Sequence, residues 1–174
     1  MAGETSGPVS GPGDSSSPAQ EIERKFIVSR LPDDLDSWPH QDIDQGYLAL
    51  EPGGAEVRVR RRGDRYFETV KSTGDVARTE LEVELTREQF ETLWPGTVHR
   101  RVSKTRYEIP WDGLTIEVDV YSGDLSGLLV AEVEFESEAA SERFRPPAWF
   151  GRDVTADKRF KNRRLALDGA PPSA

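Results

Sequence analysis

Charged residues recur along this chain at two-residue spacing. The groups are Glu21-x-Glu23-x-Lys25, Arg58-x-Arg60, Thr69-x-Lys71, Glu80-x-Glu82-x-Glu84, Lys104-x-Arg106, Glu117-x-Asp119 and Glu132-x-Glu134. In an extended strand successive side chains point to opposite sides, so each group shares one face. Arginine forks and lysine ammonium groups bind phosphate oxygens through charge-assisted hydrogen bonds. Carboxylates without histidine or cysteine beside them suit Mg²⁺ or Mn²⁺, hard ions that take oxygen ligands. Brought together, the two sets can hold a metal-bound polyphosphate ready for phosphoryl transfer, in which positioning and charge neutralisation supply most of the catalysis. A single such strand reads as a solvated face. It is the repetition that points to a shared site.

Strands must position these groups, and the candidates are Glu21–Val28, Asp44–Leu50, Glu56–Arg62, Tyr66–Ser72, Thr79–Leu85, Val102–Pro110, Leu114–Tyr121 and Leu129–Glu136. Hairpin signals at Pro52-Gly53-Gly54, Gly63-Asp64, Thr73-Gly74-Asp75 and Asp112-Gly113 join several of them. Behind the charges lie apolar residues, including Leu81, Val83, Ile116, Val118, Val133 and Phe135. The expected fold is α+β: eight antiparallel strands closed into a tunnel barrel with a charged lumen, flanked by a few helices. Buried ions cost several kcal/mol each, so that lumen must be wet and neutralised by a ligand and metals. The apolar backs must be covered by helices or by a partner. Thr86-Arg87-Glu88-Gln89 has capping-box spacing before Phe90, Leu93 and Trp94. Ser137 caps a second helix over Glu138–Phe144, and a third is expected from Thr155 to about Leu165.

Composition narrows the class. The 174 residues suffice for one domain with a real core, and 32% of them are charged against roughly 25% in an average domain. The absence of cysteine excludes disulfides, thiolate zinc sites and thiol catalysis, and His40 and His99 are too few for a histidine-based metal centre. A net charge of −9 argues against a nucleic-acid or anionic-membrane partner. No apolar run approaches the length of a spanning helix, and the start lacks a secretory pattern. The expectation is a cytoplasmic protein with a disordered leader at 1–19, a folded domain at 20–167 and a disordered tail at 168–174. Arg61 and Arg62 are expected outside or near a strand end, and Glu108 in a structural pair. Lys158 is either a surface lysine or a lid over the tunnel mouth. Trp38, Trp94, Trp111 and Trp149 are read as core or interface aromatics.

In combination and in order, these motifs resemble the CYTH/triphosphate tunnel metalloenzyme superfamily, and its short bacterial members in particular. Gln45-Gly46-Tyr47-Leu48, Thr69-Val70-Lys71 and Lys104-Thr105-Arg106-Tyr107 join the acidic groups in carrying the likeness. Val154-Thr155-x-Asp157-Lys158-Arg159-Phe160 resembles the closing helix, with Phe160 where tyrosine is more usual. The resemblance implies a small-molecule triphosphate substrate and Mg²⁺ or Mn²⁺. By position Lys25, Arg58, Arg60, Lys71, Lys104 and Arg106 hold phosphates, with Lys158 added if it acts as the lid. Asp119, Glu132 and Glu134 hold the metal. Glu21, Glu23 and Lys25 form the catalytic set, the two carboxylates serving a second metal or orienting the attacking water. Glu80, Glu82, Glu84 and Glu117 complete the acidic lining. The implied activity is hydrolysis of tripolyphosphate to pyrophosphate and phosphate. A class IV-type adenylyl cyclase, a thiamine triphosphatase, a non-catalytic triphosphate-binding module and a homodimeric state stay open.

Overall fold

Nine strands, rather than the eight expected, form one antiparallel sheet in the computed structural model, which describes residues 22–53, 55–72 and 80–172. They are β1 (Ile22–Val28), β2 (His40–Leu50), β3 (Glu56–Arg62), β4 (Arg65–Lys71), β5 (Glu80–Leu85), β6 (Arg101–Trp111), β7 (Leu114–Tyr121), β8 (Leu129–Phe135) and β9 (Phe150–Asp153). Their order is β5-β4-β3-β2-β6-β7-β8-β1-β9. Among the described residues β5 and β9 are free edges that do not pair, so the sheet is open where a closed barrel was expected. The ninth strand escapes a periodicity search because Phe-Gly-Arg-Asp has no alternation; it exists through two register pairs with β1, Phe26↔Asp153 and Val28↔Phe150. Glu21, Thr79, Gly54 and the Thr73-Gly74-Asp75 turn lie outside the described residues.

Local chemistry sets the connections. Asp112 (φ 48°) and Gly113 (φ 79°) supply the two left-handed residues of the tight β6–β7 hairpin. At Gly46 a Cβ would lie 2.5 Å from the Thr97 side chain, so the turn at Trp94–Thr97 can close onto β2 only over a glycine. The capping box is present: Thr86 accepts from the Gln89 backbone N–H at the head of α1 (Arg87–Leu93), and Gln89 accepts from the Thr86 N–H. Ser137 caps α2 (Glu138–Arg143) by accepting from the Ala140 N–H. The third helix differs from expectation. After a single turn at Lys158–Phe160, Lys161 is extended (ψ 137°), and α3 begins only at Asn162 and runs to Asp168. No helix among the described residues is long and apolar enough to cross a membrane.

The two faces of the sheet are covered unequally. On the side opposite the charges, Phe26, Ile116, Val118, Val133 and Phe135 pack with Phe144, at the end of α2. Further along, Val59 and Tyr66 pack with Phe90 of α1. The backs of β5 stay uncovered, with Leu81 60% and Val83 57% exposed. Nor is the charged face wholly charged. At one end α3 inserts Leu165 and Ala166 among Tyr47, Val102, Tyr121 and Val130. This third core anchors the C-terminal segment against the strands that carry the cations.

Candidate active site

Strand register determines which charges meet. Lys25 stands opposite Glu132, Glu132 opposite Glu117, and Glu117 opposite Glu108, so one row crosses β1, β8, β7 and β6. Arg106 stands opposite Asp119 in the neighbouring row. Like charges directly opposite each other destabilise a sheet. The row of three carboxylates is tolerable because cations reach into it from both sides.

Arg106 is the hub. Its Nε donates to Asp119 Oδ1 and its Nη2 to Asp119 Oδ2, both at 2.7 Å, and Nη2 also reaches Glu132 Oε2 at 2.7 Å. Its Nη1 pairs with Glu117. Burial works against the charged guanidinium, yet the hydrogen bond and charge of Asp119, with Glu132 and Glu117, raise its pKa well above the ordinary arginine value. Asp119 is fully buried and also receives the Lys104 ammonium. Burial lowers the pKa of Lys104, opposed by Asp119 and Glu132. Lys25 Nζ lies 2.5 Å from Glu132 Oε1 and donates to the Phe160 carbonyl at 3.3 Å. The single turn before α3 therefore touches the site through its backbone. Lys104 Nζ sits 5.3 Å from the centre of the Tyr121 ring, whose hydroxyl donates to Asn162 Oδ1 at 2.7 Å.

A second group lies across β2. Arg60 Nη2 meets Glu82 Oε2 at 3.0 Å, and the Thr69 hydroxyl donates to the same oxygen at 2.9 Å. Lys71 Nζ meets Glu80 Oε2 at 2.8 Å. Arg58 lies 3.5 Å from Glu56 and 3.6 Å from Glu80. Among the described residues the Nε atoms of Arg58 and Arg60 are buried without a hydrogen-bond partner. Burial lowers the pKa of Arg60, and so do the charges of Arg58, Arg62 and Arg106. That repulsion from Arg106 shows that the two groups share one field. Buried donors without acceptors are costly, and a bound anion is what would satisfy them.

The other expected residues are less engaged. Glu23 and Glu134 stand opposite each other at an exposed end of the face. Glu84 pairs with the exposed Arg65 at 3.0 Å, away from both groups. Lys158 is exposed in the turn that ends at Phe160. Arg61 binds Asp44 at 2.6 Å on the opposite side, whereas Arg62 shares the charged face and reaches Glu108 at 3.3 Å. Glu56 was not singled out from the sequence, although it precedes Arg58 by two residues and so shares its face. Extending the same spacing one step would have found it. A concavity lined by Glu68, Leu85, Glu88, Gln89, Thr92 and Leu93 lies on the far side of the sheet; it carries carboxylates and no cation, so it is no phosphate site. Among the described residues no three acids already converge as a cation cage, because Asp119 and Glu132 direct their oxygens at Lys25, Lys104 and Arg106.

A model of the CYTH domain matches residues 19–161. The chain belongs to the CYTH family. It is 50% identical over 150 residues to an inorganic triphosphatase of Nitrosomonas europaea, covering 84% of this chain and 97% of that protein. An inorganic triphosphatase of Acetivibrio thermocellus is 38% identical over 152 residues, 84% of this chain and 92% of its own. A crystal structure of an inorganic triphosphatase, 47% identical, superposes with a TM-score of 0.73 over 86% of this chain and 95% of its own. The open nine-stranded sheet with a C-terminal helix is thus the form the CYTH fold takes here.

Acid titration should report on Glu132 in this CYTH chain. Burial pushes its carboxyl up, but Lys25, Lys104 and Arg106 outweigh burial and hold it down at about 2, against an ordinary 4.5. A depressed acid stabilises the fold fully above its unfolded value, and that stability disappears as pH falls from about 4.5 towards about 2. Glu117 acts in the opposite sense. Burial raises its carboxyl against the pull of Arg106, with Glu132, Asp119 and Glu134 adding to the rise. Protonating it on the way down from neutral pH therefore relieves the fold. Urea titrations are expected to show stability flat or slightly rising from neutral pH, then falling steeply below about pH 4.5. Glu132→Gln should flatten that fall; an equally steep fall in the variant would contradict the assignment.

Proposed function

We propose that this chain is a metal-dependent triphosphatase that cleaves inorganic tripolyphosphate into pyrophosphate and phosphate. One observation carries the reading beyond family membership: Arg58 and Arg60 bury guanidinium donors with no acceptor among the described residues, on the face that also holds Lys25, Lys71, Lys104 and Arg106. A polyphosphate supplies acceptor oxygens and negative charge along its whole length. The rings beside the cations, Phe67 under Arg60 and Tyr121 beside Lys104, are each already covered by a cation.

The donor chemistry fits a hard divalent ion such as Mg²⁺ or Mn²⁺. Asp119, Glu132 and Glu134 offer only oxygen and share one face of β7 and β8. They would hold the ion, and Glu23 with Glu21 would hold a second one or orient the attacking water. The ion's contribution when bound is to polarise phosphate oxygens and neutralise their charge. Lys25, Lys104 and Arg106 must then turn some donors from carboxylate to phosphate oxygens, which keeps each buried charge paired throughout. In hydrolysis the water oxygen forms a bond to the terminal phosphorus, the bond from that phosphorus to the bridging oxygen breaks, and pyrophosphate leaves. Positive charge from Arg58, Arg60 and Lys71 steadies the oxygens that gain charge.

The test is phosphate release from tripolyphosphate, ATP and thiamine triphosphate side by side, with Mg²⁺ or Mn²⁺ and with excess EDTA. The expected result is the highest kcat/KM for tripolyphosphate and loss of turnover in EDTA. Full activity in EDTA would remove the metal from the reading. Preference for ATP with cyclic AMP formation would replace the triphosphatase by a cyclase, and tight tripolyphosphate binding without phosphate release would make it a binding module.

A further inference from the structure

Glu56 opens β3 on the charged face, directly opposite Lys71, and is 8% exposed. Its Oε1 lies 3.5 Å from Arg58 Nη1. Its charge also reaches Tyr47, whose hydroxyl is raised by burial first and by Glu56 next. A buried carboxylate beside a polyanion site repels the ligand, so its presence calls for a compensating role. The geometry of Arg58 supplies one. Nη1 faces Glu56, Nη2 lies 3.6 Å from Glu80, and Nε is buried without a partner. Glu80 is half exposed and already pairs with Lys71, so an incoming phosphate can displace it into solvent. Glu56 has no such exit.

We propose that Glu56 is a positioning residue: it holds the Nη1 side of Arg58 so that the Nε and Nη2 donors face the triphosphate as a bidentate pair. This rests on the triphosphate reading above. Two parallel N–H···O bonds need the guanidinium plane fixed, and a long side chain anchored at one nitrogen loses less freedom when it binds. Glu56 touches no reacting atom in this scheme and acts through Arg58 alone.

The test is a mutant cycle with tripolyphosphate and Mg²⁺, supported by thermal melts. Glu56→Gln is expected to raise KM about tenfold, the order of one weakened charge-assisted contact, with kcat within about twofold. In an Arg58→Ala background the same change should leave KM untouched, because nothing remains to be positioned. Glu56→Asp, which keeps the charge but shortens the reach, should also raise KM, and it serves if the glutamine variant does not fold. Unchanged or lower KM in Glu56→Gln, or in Glu56→Asp when that is the variant that folds, would mean that the carboxylate merely repels phosphate, and would overturn the inference. So would a full additional effect in the Arg58→Ala background. Wild-type protein without tripolyphosphate hydrolysis would instead defeat the reading on which this rests, and the inference with it.

Discussion

Replacing Arg106 with alanine is expected to destabilise the folded chain by about 3–5 kcal/mol and to abolish measurable turnover, the range found when one partner of a buried ion pair is removed. The size follows from what Arg106 leaves behind. Asp119 is fully buried and would keep only Lys104, while Glu117 and Glu132 would face each other across β7 and β8 without the cation between them. Arg106→Lys keeps a charge but cannot reach three carboxylates in one plane, so an intermediate loss is expected. Urea unfolding of the three proteins at neutral pH measures this directly. A loss under about 1 kcal/mol for Arg106→Ala would class these contacts with solvent-exposed salt bridges and remove Arg106 from the centre of the site.

Strands were legible where alternation ran between clear turns. Glu56–Arg62 and Leu114–Tyr121 were expected with the bounds observed, and both caps, at Thr86 and Ser137, were visible from the local sequence. What alternation cannot encode is how far the sheet curls or where its last strand goes. Phe150–Asp153 pairs because the chain returns beside β1, and only tertiary packing shows that. The late start of α3 was hidden for a similar reason. Nothing in Lys158–Asn162 breaks a helix, but Asp157 caps a separate turn by accepting from the Arg159 N–H, and Lys161 is extended after it. The site divides along the same line. Two-residue spacing identified which side chains share a face, yet the partnership of Lys25 with Glu132 or Arg106 with Asp119 depends on register between strands distant in sequence. That register also explains why Asp119 and Glu132, two of the carboxylates assigned to a metal, are seen holding cations.

Arg60→Ala should produce the reverse of the Arg106 result: little change in stability and a large loss of binding. Arg60 has one close carboxylate, Glu82 at 3.0 Å, and its Nε has no acceptor. Burial and the charges of Arg58, Arg62 and Arg106 already work against its charged form. Removing it therefore relieves repulsion while freeing a carboxylate that is partly exposed and still bonded to the Thr69 hydroxyl. The melting temperature of the free protein is expected to stay within a few degrees of wild type or to rise. A bound triphosphate changes the balance, because its oxygens supply both the missing acceptor and the opposing charge. Losing a bidentate, charge-assisted contact of about 2.7 kcal/mol corresponds to a hundredfold rise in KM for tripolyphosphate. Thermal melts without ligand and initial rates across tripolyphosphate concentrations separate the two quantities. A large fall in melting temperature with KM unchanged would make Arg60 a structural arginine. The opposite outcome would show that two arginines on one face do different work: Arg106 holds the fold's own carboxylates, and Arg60 remains underused until phosphate arrives.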